Sequence, residues 1–112
     1  MTPIMQKQPK LHAVQIHVNG QGFAYRGADD QDAVSIRVQR GDQVKWNCDH
    51  GNFSILFQGP SPFAEVGAHG NHGTDSPVLT VTGKPGTYKY GVTVALDTGM
   101  LVDDPEIIIA DD

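Results

Sequence analysis

Short runs of alternating apolar and polar residues, each followed by a turn signal, constrain this chain more than any other feature. The first run alternates over 14–18 and ends at Asn19-Gly20, and a second alternates over 34–38 and ends at Arg40-Gly41-Asp42. Side chains two residues apart share one face of a strand, so each run predicts a strand that is buried on one side. About seven to eight such strands, joined by short turns, predict an all-β fold, a Greek-key β-sandwich.

The length and composition agree with one small β domain. A chain of 112 residues is long enough for a single core, and its 13 Gly and 7 Pro indicate many turns and little helix. Residues 1–10 are polar and predict a flexible N-terminal arm, so we assign 11–112 to the single domain. Trp46 and Phe57 are large and flanked by alternating apolar residues, which predicts that both lie in the core.

The charged residues exclude some classes of partner. The net charge is −5 and no cluster of Lys or Arg is present, so we expect no nucleic-acid partner. After Lys89 the chain has six carboxylates and neither Lys nor Arg. Such an acidic surface serves solubility, or it attracts a basic partner.

The sequence carries few signals for a compartment. Cys48 is the only cysteine, so an internal disulfide is excluded. No run is apolar enough to cross a membrane, and we expect no membrane partner. The first ten residues lack the apolar core of a secretory signal, which favours a cytoplasmic protein, or a periplasmic one if the chain is a mature form.

The segment from Gly86 to Met100 predicts a strand over Thr87–Val94, followed by a loop that ends at Gly99-Met100. Together with the segments 34–47 and 53–57, in this order, it resembles the cupredoxins, the small blue copper proteins of the plastocyanin and azurin type. The resemblance covers about 34–110 and implies a cupredoxin-like fold. The chain is identified as a divergent member whose copper ligands differ.

The resemblance also indicates which residues stand at the family's ligand positions. Phe53 stands at the first His position, Val92 at the Cys position and Ala95 at the second His position, whereas Met100 matches the weak axial ligand. A type 1 site needs a thiolate and two imidazoles, and the first three side chains carry no donor atom. We therefore expect no type 1 copper and no cofactor.

These apolar substitutions have two interpretations. Phe53, Val92, Ala95 and Met100 either fill the end of the sandwich as a packed plug or leave an apolar patch that contacts a partner. For the second case the candidate binding surface consists of Phe53, Val92, Ala95, Leu96 and Met100.

A displaced metal site is the alternative. Its candidate ligands, all suited to zinc or copper, are Cys48, His50, His69 and His72. Glycines surround His69 and His72, however, and a Gly-rich loop is poorly organised for coordination, so solvent-exposed histidines are the competing interpretation.

No motif for catalysis is present, neither a nucleophile with its base nor a phosphate-binding loop, and we expect that the protein is not an enzyme. The sequence favours a non-catalytic binding module that uses the loops 48–53, 67–77 and 91–104 to contact an unknown protein or small ligand. A metal-binding or redox protein with the displaced ligands is the second hypothesis.

Overall fold

The computed structural model describes residues 9–19, 22–27, 31–57, 59–96 and 99–110. In these residues it contains ten strands and no helix. Accordingly, none of the described segments is a helix long and apolar enough to cross a membrane. The strands are β1 Leu11–Asn19, β2 Gly22–Arg26, β3 Ser35–Val38, β4 Gln43–Cys48, β5 Phe53–Phe57, β6 Gly67–Gly70, β7 Leu79–Thr80, β8 Gly86–Leu96, β9 Gly99–Asp103 and β10 Glu106–Ile109.

The strands form two mixed sheets. The first sheet has the order β2-β1-β4-β7, and the second has the order β3-β10-β8-β5-β6, with β9 also paired to β8. The pairs β1–β4 and β3–β10 are parallel, and the other pairs are antiparallel. The predicted all-β sandwich is confirmed.

The long strand β8 organises the second sheet. Its first half, Gly86–Lys89, pairs with β10, and its second half, Val92–Leu96, pairs with β9 on the same side. Pro105 separates β9 from β10, and its carbonyl accepts a hydrogen bond from the backbone N–H of Tyr90 at 3.0 Å. Because proline offers no ladder donor, it suits this junction between two strands.

Two segments differ from the sequence prediction. The stretch 58–77 is rich in Gly, Pro, Ser and His, a composition that predicts no regular strand, but β6 occupies Gly67–Gly70 and pairs with β5. The stretch 95–100 was expected to be a loop, but β8 extends to Leu96 and β9 begins at Gly99. In both places the ladder hydrogen bonds to a neighbouring strand outweigh weak local strand propensity.

The core lies between the two sheets and is centred on aromatic rings. Trp46 and Phe57 are buried, as predicted, and both pack against Phe63 and Tyr90. The indole Nε1–H of Trp46 donates to the Tyr90 hydroxyl at 3.2 Å, so the buried polar atoms of these two rings satisfy each other.

The turn between β3 and β4 is held by a carboxylate. Gly41 takes a φ of 94°, a left-handed conformation that favours glycine. The buried Asp42 carboxylate accepts hydrogen bonds from the His12 ring and from the backbone N–H groups of Lys10 and Gln39. Burial by itself raises the pKa of Asp42, but the hydrogen bonds from His12, Lys10 and Gln39 together outweigh it and lower the pKa below its usual value.

Several predicted features fall outside the described residues. These are most of the N-terminal arm, Gly20 of the first turn signal, and the acidic residues Asp97, Asp111 and Asp112.

Candidate functional site

The four residues that the resemblance assigns to the copper-ligand positions point to opposite faces of the second sheet. Phe53 opens β5 opposite Val94, and Val92 lies opposite Ile55, so both side chains point into the core, with 3% and 0% of their surface exposed. Ala95 lies three positions after Val92, and side chains an odd number of positions apart point to opposite faces of a strand.

Ala95 therefore points away from the core, opposite Met100 of β9, and both residues are exposed. The plug interpretation describes Phe53 and Val92, and the patch interpretation describes Ala95 and Met100. As surface candidates, Phe53 and Val92 are excluded by their burial, and Leu96 is half-buried against the core.

Phe53 fills the space at its end of the sandwich. A Cβ atom added to Gly70, its neighbour on β6, would lie 2.5 Å from Cζ of the Phe53 ring. In the same region, a Cβ on Gly51 would collide with the carbonyl oxygen of Ala95. The chain is thus closely packed here, and the side chains of Phe53, Val92 and Ala95 have no donor atom for a metal. The side chains at these positions do not fit a type 1 copper ion.

The displaced candidates are dispersed. Cys48 ends β4 and is fully buried, whereas His50, His69 and His72 are exposed. Within the described part of the chain, no three His, Cys, Asp or Glu side chains gather in a group that could hold a metal ion. The ring that lies near His50 is that of His17, with the two centroids 6.2 Å apart.

Two buried tyrosines have strongly shifted acidities. Burial raises the pKa of Tyr25, and so does the Asp103 carboxylate, which accepts a hydrogen bond from the Tyr25 hydroxyl at 2.9 Å. Burial likewise raises the pKa of Tyr90. Both phenols stay protonated near neutral pH, so they act as hydrogen-bonding core residues, and the Tyr25–Asp103 bond ties β2 of one sheet to β9 of the other.

The second sheet presents an apolar surface to solvent, which we call the outer face. The register places Ala95 beside Met100, Thr93 beside Val102, and Leu56 beside Gly91. On the other side of β5, Ser54 lies beside His69 of β6 and Leu56 beside Gly67. The outer face consists of Ser54, Leu56, Gly67, His69, Gly91, Thr93, Ala95, Met100 and Val102.

Large apolar side chains on the outer face are strongly exposed. Val102 and Met100 expose 70% and 67% of their surface, Leu56 exposes 50%, and the adjoining Val66 exposes 62%. Leu56, Val66 and Val102 line a shallow groove of about 700 Å³ whose floor includes Gly67 and Gly91. A folded domain that exposes large apolar residues side by side commonly uses them for contact with a partner.

The border of the outer face is acidic. None of its nine residues is an Asp, Glu, Lys or Arg. Glu65 lines the groove on one side. Two residues before Gly91, the next outward residue of β8 is Lys89. Its Nζ atom lies 3.3 Å from Asp104 Oδ2, and Lys89 pairs in register with Glu106. In this border, three carboxylates oppose one ammonium group.

Leu56, Val66 and Val102 were not among the residues selected from the sequence. Leu56 carried a usable signal, because Phe53, Ile55 and Phe57 alternate with it and are inward, which leaves an apolar Leu on the outward side. Val102 carried none, since the strand that exposes it was expected to be a loop.

No protein-family model and no curated protein matches the chain. Among solved structures, it is similar to a chain of a heme-copper terminal oxidase dimer, with a TM-score of 0.50 and 15% identity, covering 98% of this chain and 76% of that one. It is also similar to a pseudoazurin from Sinorhizobium, with a TM-score of 0.48 and 21% identity, covering 93% of this chain and 76% of that one. At these identities the likeness is one of fold, and the two-sheet architecture agrees with it: the chain has a cupredoxin-like fold.

Proposed function

We propose that this protein is a non-catalytic cupredoxin-like domain without a type 1 copper site, and that it binds a protein segment through the outer face. The observation that carries the proposal is the group of exposed apolar residues Leu56, Val66, Met100 and Val102 on one sheet. The donor-free side chains of Phe53, Val92 and Ala95 support the absence of type 1 copper, because neither a thiolate nor an imidazole is present at these positions.

The partner is a polypeptide segment that combines apolar side chains with Lys or Arg. Apolar side chains bury Leu56 and Val102 and fill the groove above Gly91, which has no side chain of its own. Lys or Arg at the ends of the segment face Glu65 and Asp104 at the border. The net charge of −5 attracts such a segment over a longer range and speeds its association.

The edge strand β9 favours an extended partner. Among the described residues, β9 pairs with β8 and with no other strand. Its free edge offers backbone N–H and C=O groups directly beside Met100 and Val102. An extended segment that adds to this edge gains ladder hydrogen bonds, and its alternate side chains reach the outer face.

A random peptide library displayed on phage tests the proposal without a known partner. We expect the wild-type domain to select peptides enriched in aliphatic or aromatic residues and in Lys or Arg. Binding of these peptides should weaken as the salt concentration rises, because part of the attraction is electrostatic.

Two matched variants locate the surface. Val102→Lys places a cation on the outer face and should weaken binding of the selected peptides by roughly tenfold or more, a loss of about 1.4 kcal/mol. Val78→Lys makes the same change at another exposed valine, 47% exposed and outside the outer face, and should leave binding unchanged. Equal effects of the two substitutions, selection of acidic peptides, or no selection at all would contradict the proposal.

A further inference from the structure

Two histidines come together at the end of the first sheet: His50, which is one of the displaced ligand candidates, and His17, which was not selected from the sequence. The parallel ladder between β1 and β4 ends with Ile16 opposite Cys48. His17 follows Ile16 directly, and His50 follows Cys48 by two residues. Both rings therefore lie at the same end of the β1–β4 pair. Their centroids are 6.2 Å apart, and the ring planes are inclined by 71°.

Neither ring is engaged elsewhere. In the described part of the chain, His17 and His50 make a ring contact with each other but no hydrogen bond or ion pair. His50 is exposed and His17 is half-buried, and the residue opposite His17 on β2 is the small Ala24. The ring nitrogens are therefore accessible to a ligand from solvent.

We propose that His17 and His50 form a two-imidazole site for a borderline divalent cation such as Zn²⁺, with water completing the coordination. A Zn–N bond of about 2.1 Å and a distance of roughly 1 Å from nitrogen to ring centre place two centroids about 5 Å apart at a tetrahedral zinc. The observed separation of 6.2 Å is about 1 Å larger. A small rotation of the exposed His50 side chain closes that difference.

Imidazole is a ligand type that suits zinc and copper. Asp49 directly precedes His50 in the chain and carries a negative charge, which favours a cation. The affinity comes mainly from the two imidazoles acting as a chelate. The site shares only His50 with the displaced set of Cys48, His50, His69 and His72, and it does not depend on the outer face.

Titration of the untagged, metal-free domain with Zn²⁺, followed by calorimetry at about pH 7.5, tests the site. We expect one equivalent of Zn²⁺ to bind. His17→Gln and His50→Gln should each weaken binding by roughly a hundredfold, which is the usual gain from joining two ligands. The double substitution should add little to either single one, because one remaining imidazole no longer chelates.

The pair His69→Gln and His72→Gln is the matched control, since it removes two exposed histidines from another loop. These substitutions should leave the affinity unchanged. The proposal is wrong if no stoichiometric binding occurs, if both His17→Gln and His50→Gln bind as the wild type does, or if the control pair abolishes binding. Amide spectra of each variant show whether the fold is retained, so that Zn²⁺ affinities are compared between folded proteins.

Discussion

Truncation of Phe53 and of Met100 should affect the stability of the fold very differently, because Phe53 lies in the core and Met100 lies in solvent. Phe53 is 3% exposed and its ring lies over Gly70, which has no side chain that can move into a vacated space. Phe53→Ala therefore leaves a cavity and should destabilise the fold by about 3–5 kcal/mol. Met100 is 67% exposed, and Met100→Ser should change the stability by less than about 0.5 kcal/mol.

The expected shifts are large enough to measure by thermal or urea unfolding. For a domain of roughly 100 residues, each kcal/mol lowers Tm by about 4 °C, so Phe53→Ala should lower Tm by about 12–20 °C and Met100→Ser by about 2 °C or less. The fluorescence of Trp46, the single and fully buried tryptophan, follows the transition. In a peptide-binding assay the order should reverse, with Met100→Ser the more harmful change in folded protein.

A decrease in Tm of less than about 4 °C for Phe53→Ala would refute this reasoning, since it would mean that the ring is not enclosed. A decrease in Tm of more than about 8 °C for Met100→Ser would also contradict it, because an exposed side chain has no such packing to lose.

Three further substitutions test separate parts of the structure. Asp42→Asn should be less stable than the wild type above about pH 4, and the difference in unfolding free energy should narrow below that pH. The reason is that the pKa of Asp42 is lowered in the folded state, so the stability that its carboxylate provides is lost as it protonates. Urea unfolding over a pH series measures the difference. Tyr90→Phe leaves the buried Trp46 N–H without its acceptor and should cost about 1–3 kcal/mol, with a shifted indole N–H resonance. Gly51→Ala should lower the unfolding free energy by about 1–3 kcal/mol, because the added Cβ meets the backbone carbonyl of Ala95. Gly91→Ala should be nearly neutral, because the nearest atom to its added Cβ is 3.8 Å away. Thermal unfolding compares the two variants.

The sequence was sufficient for the fold because the alternating runs and their turn signals are local. Val14, Ile16 and the inward residues of β4 and β5 all lie where the period of two places them. The resemblance to cupredoxins added the cupredoxin-like fold, which no local pattern provides. The segments that were predicted wrongly, β6 and β9, are those in which pairing with β5 and β8 determines the conformation.

The site was harder to predict, because a ligand motif read along the chain does not give the face on which each residue lies. Val92 and Ala95 are three residues apart, and the extension of β8 to Leu96 turns them to opposite faces. The outer face combines residues of four strands, and its apolar character becomes visible once the register is known. The neighbourhood of His17 and His50 likewise depends on the parallel pairing of β1 and β4, which joins strands distant in sequence.

Backbone amide chemical-shift mapping of the domain with a selected basic, apolar peptide locates the binding surface residue by residue. The largest changes should fall on outward residues of the second sheet, within 54–56, 91–95 and 100–102. Changes concentrated instead in the loops 48–52 and 71–77, or on the first sheet, would contradict the claim that the outer face is the binding surface.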